Sequence, residues 1–189
     1  MRLFTGISLP SNLVGRLSAV IDELRPFADI NWVPADNLHI TTKFIGEWPE
    51  DRLPELKTAL GSVAITGSIR IAVSRFGFLP NPHQPHSLFA GVQTGPSLAE
   101  LAASIDRALL PLGCVPENRP YQPHVTLARI KRGRDIQGLR EHIATITDFG
   151  FGSFDARDFH LYLSQPTGRG SAYSKLAAYD LMREKNTNA

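Results

Sequence analysis

Two short stretches of this chain carry the same pair of reactive side chains at the same spacing. "HITTKFIG" (residues 39–46) and "HVTLARIK" (residues 124–131) each place a histidine two positions before a threonine. Side chains alternate faces along a strand. His39, Thr41 and Lys43 would then share one face, with Leu38, Ile40, Thr42 and Phe44 on the other. His124 and Thr126 would likewise share a face, opposite Val125 and Leu127. One such pair reads as an ordinary strand histidine with a structural hydrogen bond. Two pairs in similar settings read as one site built from two halves.

Two imidazoles flanking a small pocket suit in-line displacement at phosphorus. One must accept a proton from the attacking water, and the other must give a proton to the leaving oxygen. An imidazole with an ordinary pKa of about 6.5 can do either near neutral pH. Threonine hydroxyls can donate to the non-bridging oxygens, where charge accumulates. The scheme requires no metal and no other cofactor.

The elements that must position these side chains are legible from periodicity. Residues 2–8 read as a strand. Leu13, Leu17, Val20, Ile21 and Leu24 form one apolar stripe of a helix over 12–25, with Ser11 as a candidate cap. "NWVPADN" turns the chain into the first His-x-Thr strand. Leu53, Leu56, Leu60 and Val63 mark a second helix. Two strands, "SIRIAVSRFGFL" and "SLFAGVQ", flank the Pro-rich loop "PNPHQPH". Leu98, Leu101, Ala102, Ile105, Ala108 and Leu109 define a third helix. The second His-x-Thr strand follows it. Asp135 can cap a fourth helix bearing Ile136, Leu139, Ile143 and Ile146, and the rest reads as strands joined by the turn "PTGRG". Hairpins among the helices and strands predict an α+β protein with mostly antiparallel sheets. The element order and the paired motifs predict a duplication about a pseudo-two-fold. Each half would contribute one sheet and two helices, with a cleft between lobes.

Composition bounds the function. The chain has 189 residues, 42% hydrophobic and 20% charged, which is a globular balance with enough length to bury a core. We read residues 1–189 as a single bilobal domain. No run approaches the length of a membrane span, and the N-terminal apolar run meets Pro10 too early for a secretory leader. Cys114 is the only cysteine, which excludes a disulfide framework and fits a reducing cytoplasm. Net charge is +2, too mild to announce a nucleic-acid binder. One cluster, "RIKRGR" with Arg129, Lys131, Arg132 and Arg134, reads either as a solvated loop or as a phosphate-tracking rim.

With its flanks, the double motif resembles the two-histidine phosphoesterases, and within them the RNA 2′,3′-cyclic phosphodiesterases, also called the 2′-5′ RNA ligase family. The matching stretches are "RLFTGISLP", "WVPADNLHITTKFIGE", "RPYQPHVTLARIK" and "LYLSQPTGRGSAYSKL", covering nearly the whole chain. Thr42 departs from the family, which more often has Leu there; packing should change and chemistry should not. The resemblance implies a bilobal α+β fold with its site in the interlobe cleft. It also implies hydrolysis of a terminal 2′,3′-cyclic phosphate to a 2′-phosphate, on RNA ends or nucleotides that carry it. It makes His39 the proton donor to the leaving 3′ oxygen and His124 the base for water. The near-symmetric spacing alone does not divide those roles. Thr41 and Thr126 would bind the phosphate. Arg129 matches the family's arginine, yet simple alternation puts it opposite His124, so a bulge or a reach round the strand end is needed. Lys43 is a second candidate cation.

Other candidates carry less. His83 and His86 are spaced as metal ligands can be, but prolines break any helix that would align them. His142 and His160 read as structural. "PTGRG" reads as a hairpin turn, though Arg169 could touch RNA. Trp32, Phe4 and Tyr173 could stack a base or simply pack. No G-x-S-x-G supports a serine hydrolase. The alternatives are ligation to a 2′-5′ linkage, a small substrate such as an ADP-ribose cyclic phosphate, and an RNA-binding module with idle histidines. A monomer is the default.

Overall fold

A computed structural model describes residues 1–63, 67–147, 150–168 and 170–182 of the chain. The first strand, β1 (Arg2–Ser8), leads into helix α1 (Ser11–Leu24). That helix buries Leu13, Leu17, Ile21 and Leu24 of the predicted stripe, at about 2 kcal/mol for each full burial, and leaves Val20 half-buried. Ser11 is its first residue and makes no side-chain cap. The carbonyl of extended Pro10 instead accepts from the N–H groups of Leu13 and Val14, both at 3.0 Å. The turn expected over "NWVPADN" holds a two-residue strand, β2 (Asn31–Trp32), and one 3-10 turn over Ala35–Asn37. Then come β3 (His39–Glu47) and α2 (Leu53–Gly61).

The hairpin around the Pro-rich loop is β4 (Ile69–Leu79) and β5 (Ser87–Thr94), followed by α3 (Ser97–Leu109) and β6 (His124–Arg129). Helix α4 (Gln137–Thr145) starts two residues after Asp135, whose carboxylate accepts the Gln137 N–H at 2.9 Å. Strands β7 (Gly150–Ala156), β8 (Asp158–Thr167) and β9 (Gly170–Asp180) complete the described chain. Strands β8 and β9 pair out to Thr167 and Gly170, at the ends of the expected turn "PTGRG". Arg169 within it lies outside the described residues.

The fold is α+β, and every strand pairing among the described residues is antiparallel. The path runs β7-β4-β5-β6-β3-β1-β8-β9, with β2 beside β6. It is palindromic about its middle: outward from β6 and β3 come β5 and β1, then β4 and β8, then β7 and β9. The expected two sheets are thus one continuous curled sheet, and each half-path is one arm of it. The arms meet through one residue pair, Ile40 with Val125, both fully buried. The strand order is symmetric about this contact, but neither sequence half forms one side of it: β1 and β3 are joined by β8 and β9, and β4 and β5 by β6 and β7. Strands β8 and β9 return to cover the edge of β1, which would otherwise expose unpaired backbone groups. Helix α1 crosses to pack on α4 and β7, while α2 and α3 pack on each other and on β9 and β3. Both arms of the sheet therefore carry two helices, and their opposite faces are left to line a cleft. No helix among the described residues is long and apolar enough to cross a membrane.

Candidate active site

Alternation breaks at the same step in both His-x-Thr strands. Along β1, Gly6 pairs with Thr41 and Thr5 pairs with Lys43, so Thr42 is an extra residue in β3. Along β5, Phe89 pairs with Thr126 and Leu88 with Ala128, so Leu127 is an extra residue in β6. A bulge of this kind re-aims everything after it. Thr42 and Lys43 are both buried, as are Leu127 and Ala128. The next residues, Phe44 and Arg129, emerge on the face of the histidines and threonines. This brings Arg129 into the cleft by a bulge, one of the two routes the sequence left open.

The same shift corrects two assignments. Phe44 is not a core residue: it is 66% exposed and lines the cleft. Lys43 is not a cleft cation. Its ammonium lies 2.5 Å from the Asp106 carboxylate and donates to the Val115 carbonyl at 2.7 Å. Buried under the sheet, it needs a counter-charge, and α3 supplies one. Lys43 thus ties β3 to α3.

Both imidazoles are held alike. Nδ1 of His39 donates to the Asn37 carbonyl at 2.7 Å, and Nδ1 of His124 donates to the Gln122 carbonyl at 2.8 Å. A carbonyl only accepts, so Nδ1 carries the proton and Nε2 is left for chemistry. Nε2 of His39 lies 3.0 Å from the Thr41 hydroxyl. Gly6 makes room beneath: a Cβ there would sit 2.7 Å from the Ile40 carbonyl oxygen and 3.3 Å from Cδ2 of His39. Phe4 lies 4.8 Å from the His39 ring, and Tyr173 meets it edge-on at 5.3 Å. Burial in this aromatic setting lowers the pKa of His39. The Asn37 carbonyl opposes the shift, and the charges of Arg129 and His124 add to it. Tyr121, just before β6, donates to the Thr41 carbonyl at 2.8 Å and so joins the two motif strands.

These side chains face one cavity of about 340 Å³. Strand β3 contributes His39, Thr41 and Phe44, while β6 contributes His124, Thr126 and Arg129. Arg2 and Phe4 of β1, Ser164 of β8, and Ser171 and Tyr173 of β9 also line it. Five of the six candidates read from the sequence are brought together, and Lys43 is left out. Sequence reading missed Phe44, although it stands five residues after His39 as Arg129 stands five after His124. It also missed Arg2, which heads the matching stretch "RLFTGISLP" but was read only as the start of a strand.

The remaining candidates stay outside. Trp32 packs on the core, its indole N–H 3.4 Å from the Ala28 carbonyl. His83 and His86 lie exposed on their loop, and no group of three or more His, Cys, Asp or Glu among the described residues could hold a metal. His142 stacks on Phe27 at 4.0 Å and meets Glu23 at 3.0 Å. Arg134 pairs with Asp29 at 2.6 Å, while Lys131 and Arg132 are exposed. His160 is buried between Ser8 (3.4 Å) and Asp158 (3.6 Å), a Ser-His-Asp set in composition. Both contacts use Nδ1, so no proton can be relayed through the ring, and the Ser8 hydroxyl is engaged by Tyr162 at 2.8 Å.

The sequence pattern described as LigT-like phosphoesterase matches residues 7–89 and 92–173, each segment holding one His-x-Thr strand. An RNA 2′,3′-cyclic phosphodiesterase of Methanocaldococcus jannaschii is 32% identical over 92% of this chain and 96% of its own length. A protein of the same name from Aeropyrum pernix is 32% identical over 87% of this chain and 94% of its own. Among solved structures, TT0787 of Thermus thermophilus superposes with a TM-score of 0.79 at 26% identity, covering 97% of this chain and all of that one. Escherichia coli LigT complexed with 3′-AMP gives 0.78 at 25% identity, over 96% of this chain and 98% of that one. Matched across both its halves, the chain belongs to the LigT-like phosphoesterase family.

Proposed function

We propose that this protein is an RNA 2′,3′-cyclic phosphodiesterase that opens a terminal cyclic phosphate to a 2′-phosphate. The observation that carries the reading is the pair of matched imidazoles. Each is locked through Nδ1 to the carbonyl two residues before it, and each stands beside a threonine on a different arm of the sheet that lines one cavity. The names of the relatives from M. jannaschii and A. pernix, and the 3′-AMP in the E. coli LigT structure, support the substrate class.

In this reading the cyclic phosphate lies between the imidazoles. Water attacks phosphorus while Nε2 of His124 takes its proton. The bond from phosphorus to O3′ breaks, and Nε2–H of His39 delivers a proton to O3′. The 2′-phosphate and a free 3′-hydroxyl remain, and exchange with solvent restores both rings. Thr41 and Thr126 donate to the non-bridging oxygens, and Arg129 balances their charge. Because the acid and base come from different arms of one sheet, residues 1–189 act as one bilobal unit. We place that unit in the cytoplasm, as a monomer, with RNA ends or nucleotides as its substrates. The assay is an oligonucleotide ending in a 2′,3′-cyclic phosphate, incubated in EDTA. A 2′-phosphate product is expected. A 3′-phosphate product, or binding without turnover, would sink the proposal.

A further inference from the structure

We infer that Arg2, with Ser164 and Ser171, forms a subsite for the phosphodiester immediately 5′ of the reacting nucleotide. The inference rests on the function proposed above and adds how much of an RNA the site reads. Strand β1 pairs with β8 without a register shift, so its faces alternate cleanly from Arg2 to Gly6. Gly6 lies under the His39 ring, Phe4 packs beside that ring, and Arg2 follows on the same face. Four residues of strand separate Arg2 from Gly6, about 13 Å of backbone. Arg2 therefore stands along the cleft from the imidazoles and lines the same cavity, and its long side chain can span part of that distance toward the next phosphate of a bound chain.

A second cavity of about 550 Å³ opens at that end, and Arg2, Ser164 and Ser171 line both cavities. They make the junction from one guanidinium and two hydroxyls, all donors suited to a phosphate. Arg2 is exposed, and its guanidinium has no ion-pair partner among the described residues. Beyond the junction the lining changes character. Leu163 and Pro166 offer apolar surface for a nucleoside, and Glu50 brings negative charge, while Glu47 is offset by the N-terminal ammonium of Met1 at 3.7 Å. The site would thus read one upstream phosphate and no more on this side.

The test compares kcat/KM for a 2′,3′-cyclic mononucleotide with that for dinucleotide and trinucleotide 2′,3′-cyclic phosphates. The dinucleotide should exceed the mononucleotide by about fivefold, the scale of one partly exposed charge-assisted contact. The trinucleotide should match the dinucleotide. Arg2→Ala should bring the dinucleotide-to-mononucleotide ratio close to 1, and Arg2→Glu should push it below 1. A ratio that survives both variants, or a wild-type ratio already near 1, overturns the subsite while leaving the phosphodiesterase reading intact. A wild-type protein inert on all three substrates overturns the phosphodiesterase reading itself. An Arg2 variant that lowers both rates in equal proportion also overturns the subsite.

Discussion

Strands β3 and β6 are built to one plan and furnished differently. Each has the His-x-Thr pair, an Nδ1 lock to a carbonyl, and a bulge just after the threonine. The bulge delivers a phenylalanine to the cleft from β3 and an arginine from β6. His39 is enclosed by Phe4, Tyr162 and Tyr173, whereas His124 has Phe89 as its aromatic neighbour, at 5.3 Å. Duplication supplies two equivalent groups, and a displacement needs two inequivalent ones. The surroundings break the symmetry that the backbone keeps.

The sharpest way to break this comparison is to remove each imidazole in turn. His39→Ala and His124→Ala should each lower turnover by about 10²–10⁴-fold, the usual range for a general acid or base. A substrate whose leaving group is a good nitrophenolate needs no proton from an acid. It should restore much of the rate in His39→Ala and little in His124→Ala. The opposite pattern would exchange the two roles.

Arg129 and Phe44 test the inequivalence one step along the strands. Arg129→Ala should lower kcat/KM by about tenfold or more, because a cation on the phosphate is lost. Phe44→Ala should raise KM by about fivefold or more and leave kcat nearly alone, if its exposed ring carries a base. Equal effects on kcat from both would mean that Phe44 does not act as a binding surface.

These two residues also mark how far the sequence could be read. Four helices and all the strands but β2 followed from periodicity and turn signals, and the shared face of each His-x-Thr pair followed from strand alternation. The bulges did not, because an inserted residue leaves the apolar pattern looking regular: "ITTKF" and "VTLAR" alternate well enough either way. Everything after the bulge was therefore assigned to the wrong face or left open. Lys43 looked like a cleft cation for that reason, and Asp106, distant in sequence, gave no warning. The interleaving of the halves was hidden too, since it depends on which strand covers the edge of β1.

Lys43 accordingly belongs to stability and not to catalysis. Lys43→Met should cost about 3 kcal/mol, because Asp106 is left partly buried without its partner. The double variant Lys43→Met with Asp106→Leu should recover much of that in urea denaturation. Loss of substrate affinity in a fully folded Lys43→Met protein would return Lys43 to the site.

The aromatic enclosure of His39 predicts a pH effect. Burial lowers its pKa from the ordinary 6.5. As the acid, His39 must be protonated, so kcat/KM should fall as pH rises through a value below 6.5. Tyr173→Ala wets the ring and should move that limb upward. A rate that instead rises through the lowered value would make His39 the base. Folding is linked in the same sense. The folded protein resists protonating His39, so its stability is full above about 6.5 and declines as pH drops below it.

The smallest effect concerns Thr42, the bulged residue of β3. Its counterpart in β6 is Leu127, and both are buried beneath the sheet. A hydroxyl there must be satisfied, and Thr42 meets the Thr5 hydroxyl at 2.8 Å. Thr42→Leu would make the two strands more alike, yet it strands the Thr5 hydroxyl in a fully buried position. We expect a loss of about 1–2 kcal/mol. Thr5→Val with Thr42→Leu removes both hydroxyls and should return close to wild-type stability. Throughout, kcat should stay within about twofold, since neither side chain faces the cleft. If Thr42→Leu alone depressed kcat strongly, the bulge would be set by that hydroxyl pair. The shared backbone plan would then depend on different side chains in the two strands.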